Sequence, residues 1–553
     1  MRVVIIGGVA GGMSAATRLR RLDETAEIIV IERSEYVSYA NCGLPYYVGG
    51  IIDDREALML QTPEKLWDRF RIQVRTGTEA ISIDRAAQTV TVTSRGGAAG
   101  TGTGTSAGTA ARTDSIPYDR LILSMGARPS IPAGVTGIEH THSLRTVADA
   151  DALYALATSG GHSKAVIIGA GFIGVELAEN FVLRGLETHL VQRSATVMPG
   201  FDPEMIAGFQ SALVGHGVRL HLKTTATTIT ESSVNLANGT VLTDAFTILA
   251  TGVTPDSHLA AEAALAVTAT GHILVDDQMR TNDPNIFAVG DATSKITAYG
   301  QRTIPLANLA NRHGRLVADV IAGRDVHAAT ASGTATISAF GMVAAMTGMS
   351  EQALSAIGIT PHIIHLHPGS HAGYYPGAAT IALKVLFSKE TGAILGAQAV
   401  GADGADKRID VIATAMAGGL TVDQLMDLEL AYSPQVGSAK DPINMAGYIA
   451  DNVLSGTTRN IQWHELSAAR EAGATLIDVR TAGEFANGAI PGAVNFDLNE
   501  LRTRIDELPA GELIVHCQVG QRGHTASRLL TELGRSVRNL DGGWLTWRAG
   551  TGL

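Results

Sequence analysis

The apolar positions of the chain open with a pattern that occurs twice. Val3–Ile6 is a short β-branched run that breaks into Gly7-Gly-Val-Ala-Gly-Gly12, and a helical spacing continues through Arg21. Ala165–Ile168 repeats the run, Gly169-Ala-Gly-Phe-Ile-Gly174 repeats the break, and a second helical pattern extends to about Arg184. A further apolar strand follows each helix, at Glu27–Glu32 and at Thr188–Gln192. Short continuous apolar runs bounded by glycine suit strands buried on both faces, so each copy predicts a β–α–β opening. Ile122-Leu-Ser-Met-Gly-Ala-Arg-Pro129 also matches Ile248-Leu-Ala-Thr-Gly-Val-Thr-Pro255 in frame. Two copies of one plan predict an α/β fold with two nested Rossmann-like dinucleotide-binding domains.

The remaining pattern sets the expected boundaries. The first dinucleotide-binding domain takes 1–145 and returns over 271–325, with the second, 146–270, nested between. Residues 326–455 mix strands and helices without a nucleotide motif and predict an α+β domain. A helix around 441–454 ends in Ser455-Gly456, a linker follows, and 464–553 predicts a separate compact α/β unit. Residues 96–111 are a run of Gly, Ala, Thr and Ser, expected to be a flexible insert at a hairpin tip.

Composition narrows the partners. The chain has 553 residues and a formal charge of −11, and no Lys/Arg run offsets its acidity, which argues against nucleic acid as a partner. The most apolar run, Ala165 to Val175, falls far short of the roughly 20 residues of a membrane helix, so no membrane partner is expected. The N-terminus reads as a strand entering a turn, and two cysteines cannot build a disulfide framework, so a cytoplasmic location is expected.

The candidate chemistry sits at the glycine turns and the two cysteines. In the first copy Gly7 and Gly12 fill the outer fingerprint positions, Val9 replaces the middle glycine, and Gly8 and Gly11 are extra small residues. Glu32 ends the second strand, where a carboxylate holds a ribose hydroxyl. Thr281-Asn-Asp-Pro-Asn-Ile-Phe-Ala-Val-Gly-Asp291 ends another strand on a carboxylate, at the sheet edge where ligands collect. The second copy has the complete fingerprint Gly169-x-Gly171-x-x-Gly174, followed by Glu176. Its second strand ends in Gln192-Arg193 instead of an acid, which points towards NADPH, or towards use of both nicotinamides. Cys42 stands in Ser38-Tyr-Ala-Asn41-Cys42-Gly-Leu-Pro-Tyr46 with no second thiol nearby. A lone thiol cannot close an intramolecular disulfide, so its oxidised form is a sulfenic acid or a mixed disulfide with a small thiol.

These motifs resemble the two-dinucleotide-domain flavoprotein disulfide reductases over roughly 1–450. Asn-Cys-Gly-Leu-Pro-Tyr is similar to their single-cysteine branch, which holds coenzyme A disulfide reductases and related NADH oxidases and peroxidases. The resemblance implies FAD at Gly7, Gly8, Gly11, Gly12, Glu32, Arg33, Gly126, Asp291 and Ala307. It implies NADPH or NADH at Gly169, Gly171, Gly174, Gln192, Arg193 and Gly252. Arg18 and Arg21, at i, i+3 on the first helix, with Ser38 and Asn41, match where the coenzyme A reductases bind coenzyme A. His371-Ala-Gly-Tyr374-Tyr and Ala431-Tyr432 resemble segments that bring a phenol to the cysteine from the other subunit; Tyr374 is favoured over its neighbour. The third domain of the family is a dimerisation domain, which implies a homodimer. Gln435-Val436 depart from the Pro-Tyr common in the branch.

The C-terminal unit carries Leu476-Ile-Asp-Val-Arg480, Gly488-Ala-Ile-Pro-Gly-Ala493, Val515-His-Cys517-Gln-Val-Gly-Gln-Arg522 and Leu540-Asp-Gly-Gly543. In that order they resemble a single rhodanese domain, with Ala489 where a histidine is usual. A six-residue loop from Cys517 to Arg522, with a helix starting near His524, is expected to aim backbone N–H groups inward. Such a loop lowers a thiol pKa and stabilises an anionic persulfide, and Arg522 adds charge at the rim. The expected function is an FAD-dependent NAD(P)H oxidoreductase acting on coenzyme A disulfide, coenzyme A persulfide or polysulfide. Cys42 carries the mixed disulfide, and Cys517 handles sulfane sulfur. A peroxidase or oxidase cycling through a Cys42 sulfenic acid, a sulfurtransferase with a regulatory flavin half, and a flavoprotein passing electrons to a protein partner remain alternatives.

Overall fold

The computed structural model describes residues 1–94 and 112–552, so the expected insert at 96–111 lies outside the described residues. The strands that flank it, Thr89–Ser94 and Arg112–Pro117, pair antiparallel with Ser94 opposite Arg112. The chain divides into two compact units, 1–193 with 218–331, and 194–217 with 332–553.

The first unit holds both predicted nucleotide folds. Five strands lie in the order Ile286–Ala288, Arg120–Leu123, Arg2–Ile6, Glu27–Ile31 and Ile72–Arg75, every pair parallel. The β-branched run explains the placement: Val3, Val4 and Ile5 are fully buried in the centre of this sheet. Removing each such side chain from water contributes about 1.5–3 kcal/mol. The second sheet repeats the plan around Lys164–Ile168, with Glu187–Gln192 and Ala245–Leu249 as its parallel neighbours. Ala127–Pro129 and Val253–Pro255, the in-frame echo of the sequence, pair with each other antiparallel.

The second unit contains an antiparallel five-stranded sheet in the order Ala335–Ala339, Met342–Gly348, Ile394–Gly401, Ile381–Phe387, His362–Leu366. It also contains a five-stranded sheet, Asn460–Ile461, Val537–Leu540, Leu513–His516, Thr475–Asp478, Val494–Asn495, all of whose pairs are parallel. Helix Pro203–Gly215 belongs here, although its sequence position lies within the stretch expected for the second nucleotide domain. It buries Met205, Ile206, Phe209 and Leu213, and its start joins a buried ionic cluster of this unit. In that cluster the Lys384 ammonium lies 2.9, 2.6 and 2.7 Å from oxygens of Asp202, Glu204 and Glu351. No helix among the described residues is long and apolar enough to cross a membrane.

Candidate active site

In the first nucleotide fold, strand Arg2–Ile6 ends at Gly7, whose φ of +104° suits glycine. A Cβ on Gly12 would land on the Gly7 carbonyl, so helix Ala10–Leu22 starts in direct contact with the strand end. Val9, in the middle fingerprint position, is its N-cap and gives no side-chain cap. The first helical N–H groups therefore remain available to an anion. Glu32 accepts from the N–H groups of Gly8 at 2.9 Å and Ser34 at 2.8 Å. A carboxylate has about four lone-pair sites, so two remain for ribose hydroxyls. Arg33 is more than half exposed and pairs with the buried carboxylate of Asp256 at 3.0 Å.

Asp291 lies in the turn Gly290–Ala292, partly exposed, with Arg145 3.8 Å away. The ammonium of buried Lys295 fixes this turn by donating to Gly290 O and to Thr293. Burial pulls Lys295 down to about 8, against the attraction of Asp291. Ala307 opens helix Ala307–Ile321, whose N-cap Leu306 also lacks a side-chain cap. Glycine-tight turns, uncapped helix starts and placed carboxylates fit a dinucleotide with a pyrophosphate and ribose hydroxyls.

The second fold repeats the first at the level of side chains. Gly169 has a φ of +109°, and a Cβ on Gly174 would land on the Gly169 carbonyl. Gly171 is the uncapped N-cap of helix Phe172–Leu183 and has open space at its Cβ position. Gln192 Oε1 accepts from Ala170 N–H at 3.1 Å, the counterpart of Glu32 bonding Gly8. Arg193 is exposed at the strand end, with no ion pair among the described residues. Gly126 and Gly252, at matching positions of the echo, both have positive φ.

Cys42 is exposed in the turn Asn41–Gly43, directly before helix Leu44–Gly49. Helix Phe172–Leu183 of the second fold clamps that short helix. A Cβ on Gly49 would strike the Asn180 side chain, and Arg184 donates to Val48 O at 3.1 Å. The thiol thus sits where the two nucleotide folds meet. Its pKa is pushed up, first by burial and then by the charges of Glu176 and Asp291. Glu176 itself is raised to about 7, by burial and then by Glu179. In the sequence Glu176 is only the residue that extends the second fingerprint; its influence on Cys42 follows from the helix clamp. Because a negative neighbour raises a thiol pKa, Glu176→Gln lowers that of Cys42. The expected result is about threefold faster alkylation of Cys42 by iodoacetamide at pH 8, read by peptide mass spectrometry. An unchanged or slower rate contradicts the assignment.

The other predicted residues divide. Ser38, with a φ of +50°, and exposed Asn41 share the loop of Cys42. The guanidinium of Arg18 is held by Asp319 at 2.6 Å, so a phosphate there competes with a carboxylate. Arg21 is exposed, stacked over Phe70 at 5.3 Å. In the second unit Tyr374 and Tyr432, both exposed, bring their hydroxyls to 3.1 Å. Tyr375 instead accepts from Gln435 at 3.3 Å, so the structure pairs the favoured tyrosine with Tyr432.

Cys517 follows strand Leu513–His516 and is fully buried. The next helix starts at Gln521, ahead of the expected His524, because Gly520 with a φ of +93° ends the turn early. Arg522 therefore lies in the first helical turn. Its guanidinium makes two bonds to Glu484, at 2.7 and 2.6 Å, so the expected rim charge is part of an ion pair. Glu484 is held down to about 2, chiefly by Arg522. Beneath the loop, Arg480 donates to Asp478 at 2.6 Å, to Gln518 at 3.2 Å and to Gly488 O at 2.8 Å. Burial pulls His516 down to about 4 and keeps it neutral.

Residues 1–314 match the family model described as pyridine nucleotide-disulphide oxidoreductase, and 334–441 match the dimerisation domain of that family. Residues 462–550 match the rhodanese-like domain. The chain belongs to the pyridine nucleotide-disulphide oxidoreductases and carries a C-terminal rhodanese-like domain. Within that family it is a homologue of coenzyme A disulfide reductase. The Staphylococcus aureus (strain JH9) protein of that name is 35% identical over 457 residues, 81% of this chain and 99% of the relative. The reduced Bacillus anthracis CoADR-RHD structure is 41% identical with a TM-score of 0.95, covering 100% of this chain and 98% of that one. An NAD-dependent persulfide reductase from A. fulgidus is 33% identical with a TM-score of 0.90, covering 99% of this chain and 100% of that one.

Proposed function

We propose that the protein is an FAD-dependent NAD(P)H oxidoreductase that reduces coenzyme A disulfide, coenzyme A persulfide or polysulfide through Cys42. Cys517 handles the sulfane sulfur. The observation that carries this reading is a lone exposed thiol at the meeting of two nucleotide folds, in the same chain as a retained rhodanese cysteine. The Cys42 thiolate attacks one sulfur of coenzyme A disulfide; a new S–S bond forms on Cys42, and one coenzyme A thiolate leaves. With a coenzyme A persulfide, attack on the inner sulfur expels hydrosulfide. Gly7, Gly12, Glu32 and Asp291 would hold FAD, which would supply the electron pair that the mixed disulfide needs to release its thiol, with the nicotinamide as the hydride source.

Ser38, Asn41 and Arg21 are the coenzyme A contacts of this reading, with Arg18 joining if Asp319 yields it. The match to the dimerisation domain supports a homodimer, in which the Tyr374–Tyr432 pair donates a hydrogen bond or proton to the leaving thiolate beside the Cys42 of the other subunit. Rhodanese chemistry concerns sulfane sulfur, so the fusion favours persulfide or polysulfide over plain disulfide recycling. One chain also raises the effective concentration of each site at the other. Exposed Arg193 at the end of the second ribose strand supports use of NADPH.

Steady-state NADPH and NADH oxidation with coenzyme A persulfide, coenzyme A disulfide, peroxide and oxygen tests the reading. Turnover is expected to be fastest with the coenzyme A species, and NADPH is expected to work at least as well as NADH. Faster turnover with peroxide or oxygen contradicts it and favours a sulfenic acid cycle.

A further inference from the structure

Strand His362–Leu366 and the residue after it place His365 and His367 two positions apart, on one face. His365 Nδ1 lies 2.7 Å from Asp541 Oδ2, and its Nε2 lies 3.2 Å from Glu204 Oε1. A carboxylate at each ring nitrogen requires both to donate, which makes the ring an imidazolium. Burial opposes that charge, but Asp541 and Glu204 outweigh it and push the pKa up to about 9. Lys384, the cross-strand neighbour of His365, gives its ammonium to the same Glu204 oxygen at 2.6 Å. His367 Nε2 lies 2.8 Å from Thr546 Oγ1.

Asp541 and Thr546 bracket the turn beneath the rhodanese loop. Gly542 and Gly543 have φ of +67° and +62°, and a Cβ on Gly542 would come within 2.7 Å of His365 Cβ. The Trp544 N–H donates to Cys517 O at 2.8 Å, and the Leu545 N–H donates to Gln518 O at 3.0 Å. A trans peptide directs its C=O and N–H oppositely. Those two bonds therefore turn the N–H groups of Gln518 and Val519 away from helix Gly543–Thr551. Backbone N–H groups gathered in such a loop stabilise an anion.

We propose that His365 and His367 are positioning residues for the sulfur-carrying loop. By holding Asp541 and Thr546 they fix the turn from which Cys517 and Gln518 hang, and with it the direction of the loop N–H groups. This rests on the reading of Cys517 as a sulfur carrier. In the step concerned, the Cys517 thiolate attacks the sulfane sulfur of thiosulfate, forms an S–S bond and expels sulfite. Cyanide then takes the outer sulfur as thiocyanate and returns the thiolate. The anionic persulfide between these steps is the species that a well-held loop stabilises.

The test is thiosulfate-to-cyanide sulfur transfer by the full-length protein, with the Cys517 persulfide followed by intact mass. His365→Ala is expected to lower kcat about tenfold and leave the KM for thiosulfate within about twofold, because Arg522 is untouched. The persulfide lifetime shortens in the same proportion. His365→Gln, which still donates one hydrogen bond to Asp541, recovers part of the loss. Thr546→Val, a near-isosteric change, gives about a threefold loss of kcat and decides the matter if the His365 variants do not fold. Variants that match the wild type in kcat and persulfide lifetime overturn the inference. A wild type that forms no Cys517 persulfide overturns the carrier reading beneath it.

Discussion

Cys42→Ser is expected to slow NAD(P)H-dependent reduction of coenzyme A disulfide and persulfide by at least about a thousandfold, while reduced nicotinamide still bleaches the flavin. A serine hydroxyl neither attacks sulfur at neutral pH nor stores a thiol as a mixed disulfide. No other thiol replaces it, since the chain has two cysteines and Cys517 is fully buried in the loop after strand Leu513–His516. The glycine turns, Glu32, Asp291 and the uncapped helix starts do not involve the sulfur, so nucleotide binding survives the change. Stopped-flow absorbance separates the two halves of the reaction. Turnover that persists in the serine variant sinks the proposed role of Cys42. Sulfide release from persulfide at the full wild-type rate favours a sulfurtransferase with a regulatory flavin half.

The second large effect is the reverse partition. Cys517→Ser is expected to reduce thiosulfate-to-cyanide sulfur transfer to background, leave coenzyme A disulfide reduction unchanged, and remove only part of the sulfide release from polysulfide. Only a sulfur at this position accepts a sulfane sulfur, and Arg522, paired with Glu484, offers no nucleophile. Coenzyme A disulfide needs no sulfane carrier. Equal loss of disulfide reduction in this variant contradicts the division of labour between the two cysteines.

Local order carried most of what the sequence revealed. The two β-branched runs and their glycine breaks gave both parallel sheets, because strand, turn and helix follow one another along the chain. The equivalence of Glu32 and Gln192 was also local, and the structure extends it to matching bonds on Gly8 and Ala170. Pairs distant in the chain left no periodic trace. Glu484 on Arg522, Asp319 on Arg18 and His365 on Asp541 arise only when folded elements meet. The grouping of 194–217 with the second unit has the same cause, since the carboxylates of Asp202 and Glu204 find Lys384 much later in the chain. The early helix start at Gln521 depended on the backbone of Gly520, whose positive φ the spacing of apolar residues does not encode.

In the proposed function, Cys42 exchanges electrons while joined to a small thiol. The most direct measurement is the intact mass of the protein, oxidised with coenzyme A disulfide and kept free of reductant. One coenzyme A added per chain is expected, located on the Cys42 peptide, removed by dithiothreitol or NADPH, and absent from Cys42→Ser. An unmodified Cys42, or an adduct that NADPH does not release, contradicts it.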